Sequence, residues 1–296
     1  MAVSGQQPRV DLREPRSWRR AKNQIATVVM FVAFVLVIIP LGFVLYTVIS
    51  KGASIISWQF LTSDIPFNVA PASVGGVGPA VLGTILITGL ATVLAVPVGV
   101  LAAVYVNEYG GNRFATRLIR FMADVMTGVP SIVMGLFIFS IWVIHFGYSG
   151  LAGAFAIGCL MLPVIIRSSE EMLKLVPDPL REASYALGAS KARVTLTVAL
   201  PTALSGIVSG VLLAVARAAG ETAPLLFCIL TVTSPNPDVF AGANTALPTL
   251  IFANASQPYT GAEARGWGAA LTLIAIAFIL MVIARLATGR AARFSR

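Results

Sequence analysis

The sequence predicts an all-α integral membrane protein with six transmembrane helices, and three observations predict it. Of the 296 residues, 57% are hydrophobic and only 11% charged, whereas about a quarter of a soluble domain is charged. Six apolar stretches approach the roughly 20 residues needed to cross a bilayer. The Lys and Arg residues crowd onto alternate connections between those stretches, as topology-setting charges do.

Residues 1–24 form a basic tail holding Arg9, Arg13, Arg16, Arg19, Arg20 and Lys22. The first span is expected over 25–49. Residues 50–78 carry Trp58, Phe60 and Phe67 and end in "PASVGGVGP", which reads as an interfacial segment followed by a hinge, aromatic rings favouring that depth. The second span covers about 79–106, the third about 118–146 with "GVPS" inside it, and the fourth, short and Gly-rich, about 151–167. The fifth is expected over about 200–230. Between it and the sixth, at 267–287, lies "TALPTLIF", too short to span and read as a surface-lying or re-entrant helix. Residues 288–296 are a second basic tail. In this arrangement 18 of the 21 Lys and Arg residues fall on the side of both termini, expected to be cytoplasmic. Lys51 and Arg265 lie on the other side, and Arg217 lies inside the fifth span. The +9 net charge is thereby explained by topology, and nucleic-acid binding is not expected, because no aromatic-interleaved basic patch occurs.

Several kinds of chemistry find no support. The phosphate loop GxxxxGK[ST] is absent, so ATP is not expected to bind this chain in that way. Cys159 and Cys228 sit in apolar runs and read as small hydrophobes, with no zinc spacing. His145, near the outer end of the third span, reads as interfacial. No nucleophile–base pair is evident, so no enzymatic activity, no bound cofactor and no metal site are expected.

The longest basic-side loop is "RSSEEMLKLVPDPLREASYALGASKARVTLTVALP", 167–201. After Pro177 and Pro179 a short helix is predicted, with Asp178 as its cap and Gly188 as its stop. Leu180, Ala183 and Leu187 share one face, with Tyr185 beside them. A helix this short is not stable alone in water. Its small apolar face reads either as a docking surface for a partner's groove or as an ordinary amphipathic loop helix.

This loop resembles the "EAA" loop of ABC importer permeases: E-A-A, three residues, G, nine residues, I-x-L-P. Here the pattern is Glu182-Ala183-Ser184, then Gly188, then Val198-Ala199-Leu200-Pro201, with Ser and Val as the two departures. The stretches "GGVGPAVLGTILITGLATVLAVPVGVLAAVYVNEY", "GVPSIVMGLF" and "ARAAGETAPLLF" extend the resemblance, over roughly 75–285, to the PstA-type permeases of phosphate-specific ABC importers. The resemblance implies the type I ABC importer permease fold, with a core of about 75–287 and a coupling loop at 168–199 inside the six-span domain 25–287. It implies a multi-pass subunit of the bacterial plasma (inner) membrane that transports inorganic phosphate. It implies as partners a PstC-like sibling permease, two PstB-like ATP-binding subunits that use the ATP, and a PstS-like extracytoplasmic phosphate-binding protein, besides membrane lipid. It also assigns ATPase coupling to Glu182, Ala183, Ser184 and Gly188. Permeases for molybdate or sulfate and the PstC-type sibling share several of these features; an ion-coupled secondary transporter is the alternative from another class.

Within the fifth span, Arg217 lies 16 residues beyond Pro201, roughly 24 Å along a helix. A guanidinium at such depth costs about 2.5–3.5 kcal/mol on insertion scales, so it is expected to face the bundle interior or a wet cavity. Glu221 follows at i+4, on the same face, and the two are expected to pair. Two readings remain: an ion pair that locks the fifth helix to a neighbour, or a passage device in which the planar fork of Arg217 meets an oxyanion. "GVPS" adds Pro130 and Ser131, either at a plain proline kink or at the start of a half-helix whose free N–H groups face the path.

Overall fold

The computed structural model describes residues 16–66 and 74–294. The tail before Arg16, Phe67, the first half of the Gly/Pro-rich stretch and the last two residues lie outside that range. Residues up to Ser50 form one compact unit and those from Lys51 a second. The first unit is the helix α1 (Arg16–Gly52) up to Ser50. It starts before the expected span and is apolar enough to cross a membrane by itself.

Among its described residues the second unit is also helical throughout its regular structure. In order come α2 (Trp58–Thr62), α3 (Gly78–Val104), α4 (Phe114–Gly128), α5 (Ser131–Ile138), α6 (Ile144–Phe146) and α7 (Gly150–Lys174). Then follow α8 (Asp178–Ala186), α9 (Lys191–Val194), α10 (Leu200–Ala219), α11 (Leu225–Cys228), α12 (Leu247–Ala255) and α13 (Thr260–Phe294). Single π-helical turns at Tyr105–Tyr109, Phe139–Val143 and Thr195–Ala199 extend α3, join α5 to α6 and lead into α10. Among the described residues five helices are long and apolar enough to span, or six when the bent pair α4/α5–α6 is counted as one span.

α7 is the hub of the packing. It lies against α3 and α10, with α4, α5 and α11 on its remaining flanks. Its contact with α3 uses Ala91, Ala95, Ala152, Ala154 and Ala156, all buried, around Ile87, Ile157 and Ile165. Small residues let backbones approach closely where lipid supplies no hydrophobic drive between helices. A second core forms where Phe60, Ile65, Val77 and Ala80 meet Leu247, Leu250 and Ala269. There the N–H of Leu247 donates to Thr84 Oγ1 (2.8 Å), fixing α12 on α3. α12 is the short "TALPTLIF" helix, and its first turns are buried rather than lying on a surface. Arg265 on α13 is also buried, its Nη groups donating to the carbonyl of Val74 and to Asn254 Oδ1 (3.0 Å each).

Several expectations are corrected: the fourth span is not short but runs over Gly150–Lys174 as α7, and the sixth extends from Thr260 to Phe294 as α13. The third span is no single straight helix: α4 and α5 meet at 107°. Pro130 offers no N–H to continue α4, and Val129 before it is extended (φ −72°, ψ 125°), as residues preceding proline tend to be. The plain-kink reading therefore gives way to a half-helix starting at Ser131. The fifth span ends at Ala219, not near 230; Gly220 caps it, and the chain leaves helix again at Ile229 after the short α11. Hydropathy continues through "LLFCIL", but backbone regularity does not. Asp178 is not the cap of α8: Pro177 holds that place, and Asp178 is the first helical residue, with its carboxylate on Arg181.

Candidate functional site

Arg217 occupies the last turn of α10, where the carbonyl ends of a helix favour a cation. Gly220 then turns the backbone, its N–H on the Arg217 carbonyl (3.0 Å) and that of Glu221 on Ala218 (3.2 Å). This keeps Glu221 close although it lies past the helix end. The pair forms through a single contact, Nε to Oε1 at 3.3 Å. The Arg217 side chain is 68% exposed and Glu221 16%. Among the described residues the two Nη groups of Arg217 make no hydrogen bond. Toward its own chain the pair borders Leu160, Met161 and Val164 of α7 and Ala214 and Ala218 of α10, with room for about 10 Å³, or about one water. The guanidinium is thus exposed, with its Nη donors free of hydrogen bonds among the described residues.

Beyond Glu221, Pro224 presses against the half-helix α5. A Cβ on Gly135 would stand 2.6 Å from the Pro224 Cα, so only glycine permits this approach. Cys228 Sγ completes the contact, 3.7 Å from the Gly135 carbonyl. The turn bearing Arg217 and the half-helix starting at Ser131 are therefore joined through α11. Pro130 itself is exposed and Ser131 half-buried. Among the described residues neither is hydrogen-bonded to Arg217 or Glu221; their elements are joined through the Gly135–Pro224 contact.

At the α8 end of the bundle lies a second charged group that the sequence reasoning missed. Glu170, 1% exposed, accepts from Arg120 Nε (2.9 Å) and meets Lys174 Nζ (2.7 Å) and Arg167 Nη1 (3.5 Å). Arg167 also pairs with Asp124. In the sequence these cations read only as markers of sidedness. The i, i+3 and i+4 spacing of Arg167, Glu170 and Lys174 on one helix face carried the signal, while Arg120 comes from a different helix.

Glu182, Ala183 and Ser184 lie in the middle of α8, no residue of which is buried. Ser184 turns its hydroxyl back on the Leu180 carbonyl (3.0 Å), so it fits where the pattern has alanine. Gly188 ends the helix at φ +81°. Its N–H bonds the Tyr185 carbonyl and that of Ala189 the Ser184 carbonyl, the paired bonds of a left-handed glycine stop. Leu180, Tyr185 and Leu187 remain exposed, Leu187 at 90%. A fixed helix thereby presents an exposed apolar face.

The helix is held by Arg181, which the sequence reasoning passed over. Its Nη1 donates to the Val176 carbonyl (2.6 Å) and Asp178 Oδ1 (3.1 Å); its Nη2 donates to the Leu173 carbonyl and Glu108 Oε1 (2.9 Å each). Glu108 lies in the π-helical turn ending α3, 73 residues away in sequence.

Comparison with known proteins places this architecture. Residues 95–293 match the family model described as the binding-protein-dependent transport system inner membrane component. The chain is 46% identical over 261 residues to the phosphate transport system permease protein PstA 1 of Mycobacterium tuberculosis, covering 87% of this chain and 86% of that one. It is 38% identical to the PstA permease of Yersinia pestis, covering 92% of each. Among solved structures it resembles a bacterial ABC transporter importing the polysaccharide alginate (TM-score 0.60, 14% identity, 92% of this chain and 99% of that one). It also resembles the MetNI methionine ABC transporter in an inward-facing form (TM-score 0.56, 19% identity, 73% and 94%).

Proposed function

The chain belongs to the inner membrane components of binding-protein-dependent transport systems, and from that premise we propose that it is the permease subunit of an ATP-driven importer of inorganic phosphate. It is a multi-pass protein of the inner membrane. Identities of 38–46% to phosphate permeases over most of both chains support the substrate. The chain works with a sibling permease, ATP-binding subunits on the cytoplasmic side and an extracytoplasmic phosphate-binding protein. It holds no ATP itself. Both termini and α8 face the cytoplasm, in keeping with the sidedness of its basic residues.

Arg217 meets phosphate on the path between the two permeases. The observation that carries this is its free donor edge: one bond to Glu221 through Nε, and both Nη groups unused among the described residues. A planar fork fits two phosphate oxygens at once. Glu221 holds the fork between substrates and can accept a hydrogen bond from a protonated phosphate. One guanidinium per subunit makes a step on a path rather than a deep well. The half-helix from Ser131 and Pro130 lines the same path and shifts with the Arg217 turn through the Gly135–Pro224 contact. ATP binding closes the partner subunits, they move α8 through Glu182, Ala183, Ser184 and Gly188, and the cavity between the permeases alternates its opening.

Competition tests the substrate. In vesicles carrying the complete complex, excess unlabelled phosphate is expected to abolish labelled phosphate uptake, and sulfate or molybdate to leave it nearly unchanged. Equal competition by sulfate or molybdate would contradict phosphate specificity. ATP-free uptake driven by an ion gradient would contradict ATP-driven import.

A further inference from the structure

The Arg181–Glu108 pair (2.9 Å) is one of several ion pairs at the α8 end, and it is the one that joins α8 to the end of α3. The Arg181 side chain is 13% exposed and that of Glu108 5%. Each Nη of Arg181 serves two acceptors: the carbonyls of Leu173 and Val176 at the end of α7, a carboxylate on α8 itself, and Glu108 at the end of α3. Asn107 Nδ2 donates to the same Glu108 oxygen (2.8 Å). The neighbouring Tyr109 ring takes Lys191 Nζ of α9 at 5.3 Å from its centroid. The π-helical turn ending α3 is thus gripped twice from the segment that carries the docking face.

Among the described residues Arg181 is the α8 side chain that bonds the end of α3. The helix buries no side chain, and its apolar residues point away from the body. A push on α8 already reaches α7 and α10 through the covalent chain. It reaches the end of α3 through the bonds of this guanidinium, beside the Lys191–Tyr109 contact and the apolar packing of Ala103 and Val104 on Leu173 and Val176. We propose that Arg181 and Glu108 form a positioning link that makes the inner end of α3 travel with α8, so that α3, α7 and α8 move as one body when the ATPases close. The inference rests on the reading of α8 as the ATPase-docking helix. Arg181 is a positioning residue, not one that meets substrate.

Removing Arg181 outright would leave the buried Glu108 carboxylate without its cation, bonded only by Asn107, and would threaten the fold of the loop. Glu108→Gln keeps the shape and an acceptor oxygen while losing the charge, and Arg181→Lys keeps the charge while losing the fork. The wild type, both single variants and their double are reconstituted as the full complex with binding protein. Expected in Glu108→Gln are unchanged ATPase copurification, unchanged basal hydrolysis and unchanged phosphate KM, with maximal uptake per ATP hydrolysed at least fivefold lower. The double variant is expected within about twofold of the worse single variant, because both lose one contact. Normal uptake per ATP in Glu108→Gln would overturn the link. So would uptake that falls only in step with lost assembly, or effects that multiply in the double variant. A wild-type complex that retains no ATPase would instead overturn the reading of α8, and the link with it.

Discussion

Arg217 and Arg181 each pair with one glutamate, and the two pairs could hardly differ more. Arg217 is two-thirds exposed, uses one donor and leaves its fork open. Arg181 is nearly buried and has all four of its fork bonds filled, two of them by backbone carbonyls. Charge and partner type are the same; what differs is how many donors remain. A guanidinium whose Nη donors are all filled can hold elements together but cannot release one of those bonds to take a ligand without leaving a buried acceptor short of a partner. A guanidinium with spare donors on an open side can exchange partners at little cost. Glu170 extends the lesson to the acid side, since it is buried and serves three cations at once.

This comparison breaks if the two arginines respond alike to truncation. Arg217→Ala is expected to lower phosphate uptake at least about 100-fold, since it removes about two hydrogen bonds to a charged group at roughly 1.5–3 kcal/mol each, while the amount of assembled protein stays unchanged. Arg181→Ala is expected to act on the protein itself, at about 3–5 kcal/mol for stranding a buried charge, and is read as lost abundance or a lowered Tm. Exchange of those phenotypes would refute the distinction. A smaller effect sharpens the account of α8: Gly188→Ala forces φ +81° on a residue with a Cβ, at about 1–2 kcal/mol. That equals roughly five- to thirtyfold, read as weaker ATPase retention, and Gly188→Asn, which tolerates that conformation better, should recover part of it. The smallest effect is expected from Asp178→Ala. Asp178 is 84% exposed and is one of four acceptors on Arg181, so its loss should change stability by no more than about 0.5 kcal/mol.

The sequence made local features legible. Arg217 and Glu221 stand four residues apart, and that spacing was enough to expect their contact. Gly188 could be read as a helix stop because a left-handed turn selects glycine. Pro130 announced a break, although not its 107° angle, which depends on how α4 and α5 pack. The end of the fifth span was illegible to hydropathy because Leu225, Leu226 and Phe227 keep the run apolar, while Gly220 and Pro224 end the helix for backbone reasons. Glu108 with Arg181, and Arg120 with Glu170, lay out of reach: their partners are 73 and 50 residues apart and meet only because α3, α4 and the α8 loop pack around α7. Counting basic residues for topology concealed that several of them are bound to buried carboxylates.

The claim at the centre is that Arg217 meets phosphate with a fork and not merely with a charge. The direct measurement is labelled phosphate uptake by the assembled complex carrying Arg217→Lys, normalised to the amount of complex. An ammonium keeps the charge and loses the second parallel bond, so uptake is expected to fall about tenfold, the equivalent of one charge-assisted hydrogen bond, with ATPase retention unchanged. Uptake close to that of the unaltered complex would contradict the account.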